Sequence, residues 1–208
     1  MFKLCNFLSV IICFFISVNT VYANKCSTYK IKPKIVIHIP EYNINVVQPR
    51  AEMELLHGSV VATLINDYEI NTDITPTDGG VCVSLKSVDA TIGYNDFLVK
   101  IDRRHTKNTC SYNAILNHEN MHINAYLSVI EEYKVDLHNS LYAAAATVMP
   151  IFVENISGVD SAIEKLNNEL QSNPDIILLM QKIHAAEEIN NKKIDRFEDY
   201  SDIKKCLE

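Results

Sequence analysis

Two histidines four residues apart, the first followed directly by a glutamate, constrain this chain more than any other feature: His118-Glu119-Asn120-Met121-His122. Residues at i and i+4 of an α-helix lie on one face, with Cβ atoms about 5–6 Å apart. Ala114, Ile115, Ala125, Val129 and Tyr133 fall on the same face, and Leu116, Ile123, Leu127 and Ile130 form a second apolar stripe. A helix apolar on two sides is buried on two sides, so the pattern predicts a central helix between a sheet and other helices. Buried polar groups without partners are costly. Two imidazoles among small neighbours on such a face therefore point to an ion between them. Zinc accepts histidine nitrogen at roughly 2.0–2.1 Å, and a glutamate beside the first ligand is placed to take a proton from water at the metal. On this reading His118 and His122 bind Zn2+, and Glu119 is the catalytic base.

The first residues read as a secretory signal peptide. Met1-Phe2-Lys3 is basic, Leu4 to Val18 is apolar, and Val21-Tyr22-Ala23 fits a small-residue cleavage site. Cleavage after Ala23 takes 23 residues from 208 and leaves 185, residues 24–208, a length that suits one domain with a substantial core. Lys3 leaves with the signal, so the formal charge of −7 becomes −8. An acidic chain without a basic tract is a poor ligand for nucleic acid, whose affinity rests on Lys and Arg at phosphates. No later stretch reaches 18 uninterrupted apolar residues, so the mature chain is expected to be secreted or periplasmic, without stable membrane insertion. Cys26, Cys82, Cys110 and Cys206 survive cleavage. An even number in an exported protein predicts two disulfides, with three connectivities open.

Residues 30–47 read as extended, with a β-branched run at Ile35-Val36-Ile37 punctuated by Pro33 and Pro40. Pro49 opens an expected helix from Arg50 to about Asp67, with Met53, Leu56, Val60, Val61 and Leu64 at helical spacing. Thr75 to Gly80 is a turn, followed by two or three expected strands: Val81–Leu85, Val88–Ile92 and, after Gly93-Tyr94-Asn95-Asp96, Phe97–Ile101. Ser111 is placed to cap a long helix running to about Val148. Two further helices are expected, Val159 to Leu170 and Ile176 to about Tyr200, the second after the break at Asn173-Pro174-Asp175. The order predicts an α+β domain: a small, mainly antiparallel sheet with a preceding helix, packed on the motif helix and C-terminal helices.

In its motif the chain resembles the zincin superfamily of zinc metallopeptidases, and is most similar to predicted secreted bacterial zinc-protease domains. The likeness spans roughly Cys110 to Cys206, through C-x-Y-x-A-x-L-x-H-E-x-x-H and later an Ile-Asp near the C-terminus. The metzincin extension is absent, since Ala125 and Ser128 occupy its Gly and His positions. The resemblance implies a zincin-like domain acting on a peptide or protein substrate. Glu119 would pass the water proton to the leaving amine, and an edge strand within Val81–Ile101 would hold the peptide. Tyr126 and His105 are candidates to stabilise the oxyanion.

Catalytic zinc takes three protein ligands. Glu132 sits too far along a continuous helix, at about 1.5 Å per residue, to be the third. If Cys110 and Cys206 are bonded, antiparallel packing sets His118 opposite residue 198 and His122 opposite residue 194. That register makes Glu198 the expected third ligand and Asp195 a supporting carboxylate that holds a histidine N–H. Asp195, Glu154 and Glu187 are the alternatives for the third ligand. Two other functions fit the same residues: a secreted binding or structural protein with an inert or absent metal site, and a zinc amidase acting on cell-envelope peptides.

Overall fold

The computed structural model describes residues 25–26, 32–49, 57–196 and 204–206; the signal-peptide reading of residues 1–23 falls outside them. In chain order the elements are β1 (Lys34–His38), β2 (Asn43–Val47), β3 (Gly58–Thr77), β4 (Gly80–Ile101), α1 (Cys110–Thr147), β5 (Ile151–Val153), a 3-10 turn (Ile156–Gly158), α2 (Val159–Gln171) and α3 (Pro174–Ile194). Among the described residues no helix is long and apolar enough to cross a membrane.

The sheet is organised by β4. On one side β3 pairs with it antiparallel along its whole length, through a turn in which Gly79 takes φ 80°, a conformation glycine adopts without steric cost. On the other side β5, β1 and β2 lie end to end: β5 antiparallel against Val81–Val83, β1 parallel against Ser87–Thr91, β2 parallel against Asp96–Lys100. The sheet is therefore mixed, and β4 is its central strand rather than two or three short ones.

Two bulges explain why alternation misled the reading of β4. Its register against β3 shifts between Thr63 and Leu64 and between Asn71 and Thr72, leaving Asn95 and Lys86 as extra residues. Each extra residue breaks the period of two. Tyr94 and Phe97 thus both face the core, as do Leu85 and Val88, and Gly93–Asp96 is strand, not turn. The expected helix over 50–67 is also overturned from Gly58 onward, where the chain is β3; residues 50–56 lie outside the described set. Val60, Val61, Thr63 and Ile65 are β-branched, and cross-strand pairing with β4 outweighs a helical spacing of apolar residues.

One sheet face is buried under α1 through Val83, Leu85, Val88, Ala90, Ile92, Phe97, Val99 and Ile101, which join Ile115, Ile123, Val129 and Ile130 in one core. α1 also packs against α3, whose Ile176, Leu179 and Ile183 are buried. The motif helix is thus buried from two sides, as its two stripes require. Its cap is Thr109, not Ser111: the Thr109 hydroxyl accepts from the Tyr112 N–H at 3.3 Å. Asn173 caps α3, with Pro174 at the first turn, and α3 stops at Ile194, short of the expected Tyr200. Disulfides join Cys26 to Cys82 and Cys110 to Cys206. The second ties the start of α1 to the chain beyond α3.

Candidate metal centre

His118 and His122 stand one turn apart on α1, both buried, and their Nε2 atoms are 3.2 Å from each other. Asp195, the residue that ends α3, brings its Oδ1 to 3.4 Å from Nε2 of His118 and 3.0 Å from Nε2 of His122. Among the described residues these three form the one His/Cys/Asp/Glu group able to hold a metal ion, with all ligand atoms within 4.8 Å. Around a tetrahedral ion with bonds of roughly 2.0–2.1 Å, ligand atoms stand about 3.3 Å apart. The three separations match one triangular face of that figure. Two imidazole nitrogens and a carboxylate oxygen also form a donor set that suits zinc.

A hydrogen-bond chain fixes the His122 tautomer. The Asn191 side-chain amide donates to the Glu187 carbonyl oxygen at 2.9 Å, which turns its own Oδ1 toward His122 Nδ1 at 2.7 Å. A carbonyl only accepts, so Nδ1 carries the proton and Nε2 keeps its lone pair for the centre. Asn191 was not among the sequence candidates. Its signal was its place one turn before Asp195, on the same face of α3.

The equal-distance register from the disulfide is displaced. His122 meets Asn191 and Asp195 rather than residue 194, because α3 ends at Ile194 and Asp195 turns at its C-terminus. Glu198, the expected third ligand, lies outside the described residues. Asp195, expected to support a ligand, itself faces both Nε2 atoms.

Glu119 is 4 % exposed and does not belong to the metal-holding group. Burial first, and then the Asp195 charge, push its carboxyl up to about 7. The start of β3 presses on it. A Cβ at Gly58 would collide with Glu119 Oε1 and stand 2.7 Å from Ile115 Cγ2, so only glycine permits this approach. That strand end is pinned by the next loop: the Asp102 N–H donates to the His57 carbonyl at 2.9 Å, and His57 Nδ1 meets His105 Nε2 at 3.0 Å. His105 therefore helps anchor β3 and does not line the cleft.

The centre opens into a cleft of about 470 Å3 lined by Gly58, Ser59, Val60, Glu119, His122, Tyr126, Asn191 and Asp195. Tyr126 thus shares the cleft, its ring 5.0 Å from that of Tyr94. The strand beside the cleft is β3, which pairs with β4 alone among the described residues. The expectation of an edge within Val81–Ile101 is corrected accordingly, since β4 has partners on both sides. A second recess of about 500 Å3, at Ile39, Tyr42, Gly93 and Leu127, includes none of the three candidate ligands. Set against known protein families, curated proteins and solved structures, the chain matches none.

Proposed function

We propose that this protein is a secreted, zincin-type zinc metallopeptidase in which His118, His122 and Asp195 hold the metal and Glu119 is the general base. The observation that carries the reading is the convergence of two Nε2 atoms and one Oδ1 at 3.0–3.4 Å from one another, with a buried glutamate carboxyl in the same cleft but outside that group. A bound zinc ion supplies Lewis-acid chemistry at this point, polarising a carbonyl and acidifying water.

The chain's own groups do the rest. The edge of β3 offers backbone N–H and C=O groups to an extended peptide, laying it across the cleft by strand addition. Glu119 accepts the proton of the attacking water and delivers it to the leaving amine, which suits a carboxyl whose affinity for protons burial has raised. Tyr126 holds a phenol in the same cleft. Burial, with the Glu187 and Asp195 charges, raises its pKa, so the hydroxyl stays a donor for a developing oxyanion. Export is supported by the two disulfides, which persist in oxidising compartments.

The test is Glu119→Gln. The variant should bind one zinc per chain and hydrolyse an unfolded protein at least about a hundredfold more slowly than the parent. Equal hydrolysis removes Glu119 from the reaction, and a parent protein that binds zinc but cleaves nothing points to an inert site.

A further inference from the structure

Beyond Tyr126 the cleft continues into an arm of about 410 Å3, bounded by Ala62 and Leu64 of β3, Tyr94 of β4, and His184, Glu187 and Lys192 of α3. The two spaces share Tyr126, Asn191 and Asp195, so they form one groove along the β3 edge. Glu187 lies in this arm at 3 % exposure, an unusual place for a carboxylate. The Tyr94 hydroxyl donates to its Oε1 at 2.5 Å. Among the described residues its Oε2 faces the exposed His184 ring, with Nδ1 at 3.7 Å, an ion pair only when that imidazole is protonated. The other charges of the arm are already matched: Lys192 Nζ bonds Glu188 Oε1 at 2.5 Å, and Asp195 belongs to the metal centre.

A buried carboxylate with one oxygen held and the other facing only an imidazole that is charged when protonated gains from a permanent cation in the groove. Burial raises the Glu187 pKa against the pull of the Tyr94 hydrogen bond and of His184, which is the same cost seen from the proton's side. Position selects what that cation is. Glu187 is one helical turn, about 6 Å, from Asn191, whose side chain touches His122. It is two turns, about 12 Å, from the proposed ligand Asp195, and an extended peptide advances about 3.3 Å per residue, so the arm receives a side chain two to four residues from the bond at the metal. Apolar walls from Ala62, Leu64 and the Tyr94 and Tyr126 rings suit the methylene stem of a long basic side chain.

We propose that Glu187, oriented by Tyr94, is a specificity-determining residue that selects peptides carrying lysine or arginine two to four residues from the scissile bond. This rests on the peptidase reading above and names its substrate class. Atoms and electrons are unchanged by it, since only binding is involved.

The test uses Glu119→Gln protein loaded with zinc and two fluorescent peptides that differ only in a lysine or its uncharged analogue norleucine. Anisotropy should show the lysine peptide binding about tenfold tighter or more, as a charge-assisted hydrogen bond requires. In Glu119→Gln/Glu187→Gln the ratio should fall to about one. Equal binding of the two peptides, or a preference that survives loss of the Glu187 charge, overturns the proposal. The first comparison stands even if the double variant does not fold. Parent protein is tested in parallel on a mixed peptide pool: cleavage without enrichment of basic residues refutes the subsite alone, whereas no binding and no cleavage refute both subsite and peptidase.

Discussion

Glu119→Gln in the metal-free protein probes the burial on which the proposed role of Glu119 as base depends. The Glu119 carboxyl is pushed from its ordinary 4.5 up to about 7, by burial first and the Asp195 charge second. Between those two values the folded chain keeps a proton that the unfolded chain has released, so stability must fall as pH rises through this window. Below 4.5 both states are protonated and nothing is lost; above about 7 the loss is complete. At about 1.4 kcal/mol per pH unit, the full loss is about 3 kcal/mol for a side chain this deeply buried. Glutamine has no proton to release and removes the effect. The assay is urea unfolding of chelator-treated parent and variant at pH 4 and pH 8, with disulfides intact. Other titrating groups cancel when the variant is subtracted from the parent at each pH. The parent's stability relative to the variant should drop by about 3 kcal/mol from pH 4 to pH 8. Parallel pH curves would show that Glu119 is solvated, and the physical basis for its role as base would fail.

Three further outcomes follow from the same contacts. Asn191→Ala should weaken zinc binding about tenfold to a hundredfold, since the partner of His122 Nδ1 is lost, and competition with a zinc-responsive dye reads it directly. Gly58→Ala should cost about 1–3 kcal/mol in urea unfolding, because the new methyl meets Glu119 and Ile115; unchanged stability would mean that β3 does not press on Glu119. Replacing Cys110 and Cys206 together by serine opens a link between residues 96 apart and should cost about 2–5 kcal/mol, visible as an earlier unfolding midpoint.

The helices were legible because their signals are local. The two apolar stripes around His118 and His122 run through one uninterrupted element, Cys110–Thr147. Likewise Asn173-Pro174 marks the start of α3. The Cys110–Cys206 pairing, needed to bring α3 to the motif, is also present. What could not be read depends on contacts distant in sequence. Lys86 and Asn95 are bulged by pairing with β3, and nothing in their own neighbourhood announces it. Val60, Val61 and Leu64 satisfy a helical spacing as well as a strand, and only the partner strand decides. Asp195 reads from the sequence first as a supporting carboxylate and only second as a ligand, because the expected α3 runs on to Tyr200. A helix that stops at Ile194 turns the next carboxylate toward the histidines. Gly58 and Asn191 act through close approach across elements, which spacing along a single segment does not reveal.

The most direct measurement is anomalous diffraction on either side of the zinc absorption edge, from crystals grown with stoichiometric zinc. One peak is predicted, at about 2.0–2.2 Å from Nε2 of His118, Nε2 of His122 and a carboxylate oxygen of Asp195, with Glu119 beyond bonding distance. A map with no peak between the two rings, or with the rings turned apart and zinc bound elsewhere, would contradict the metal centre and the chemistry built on it.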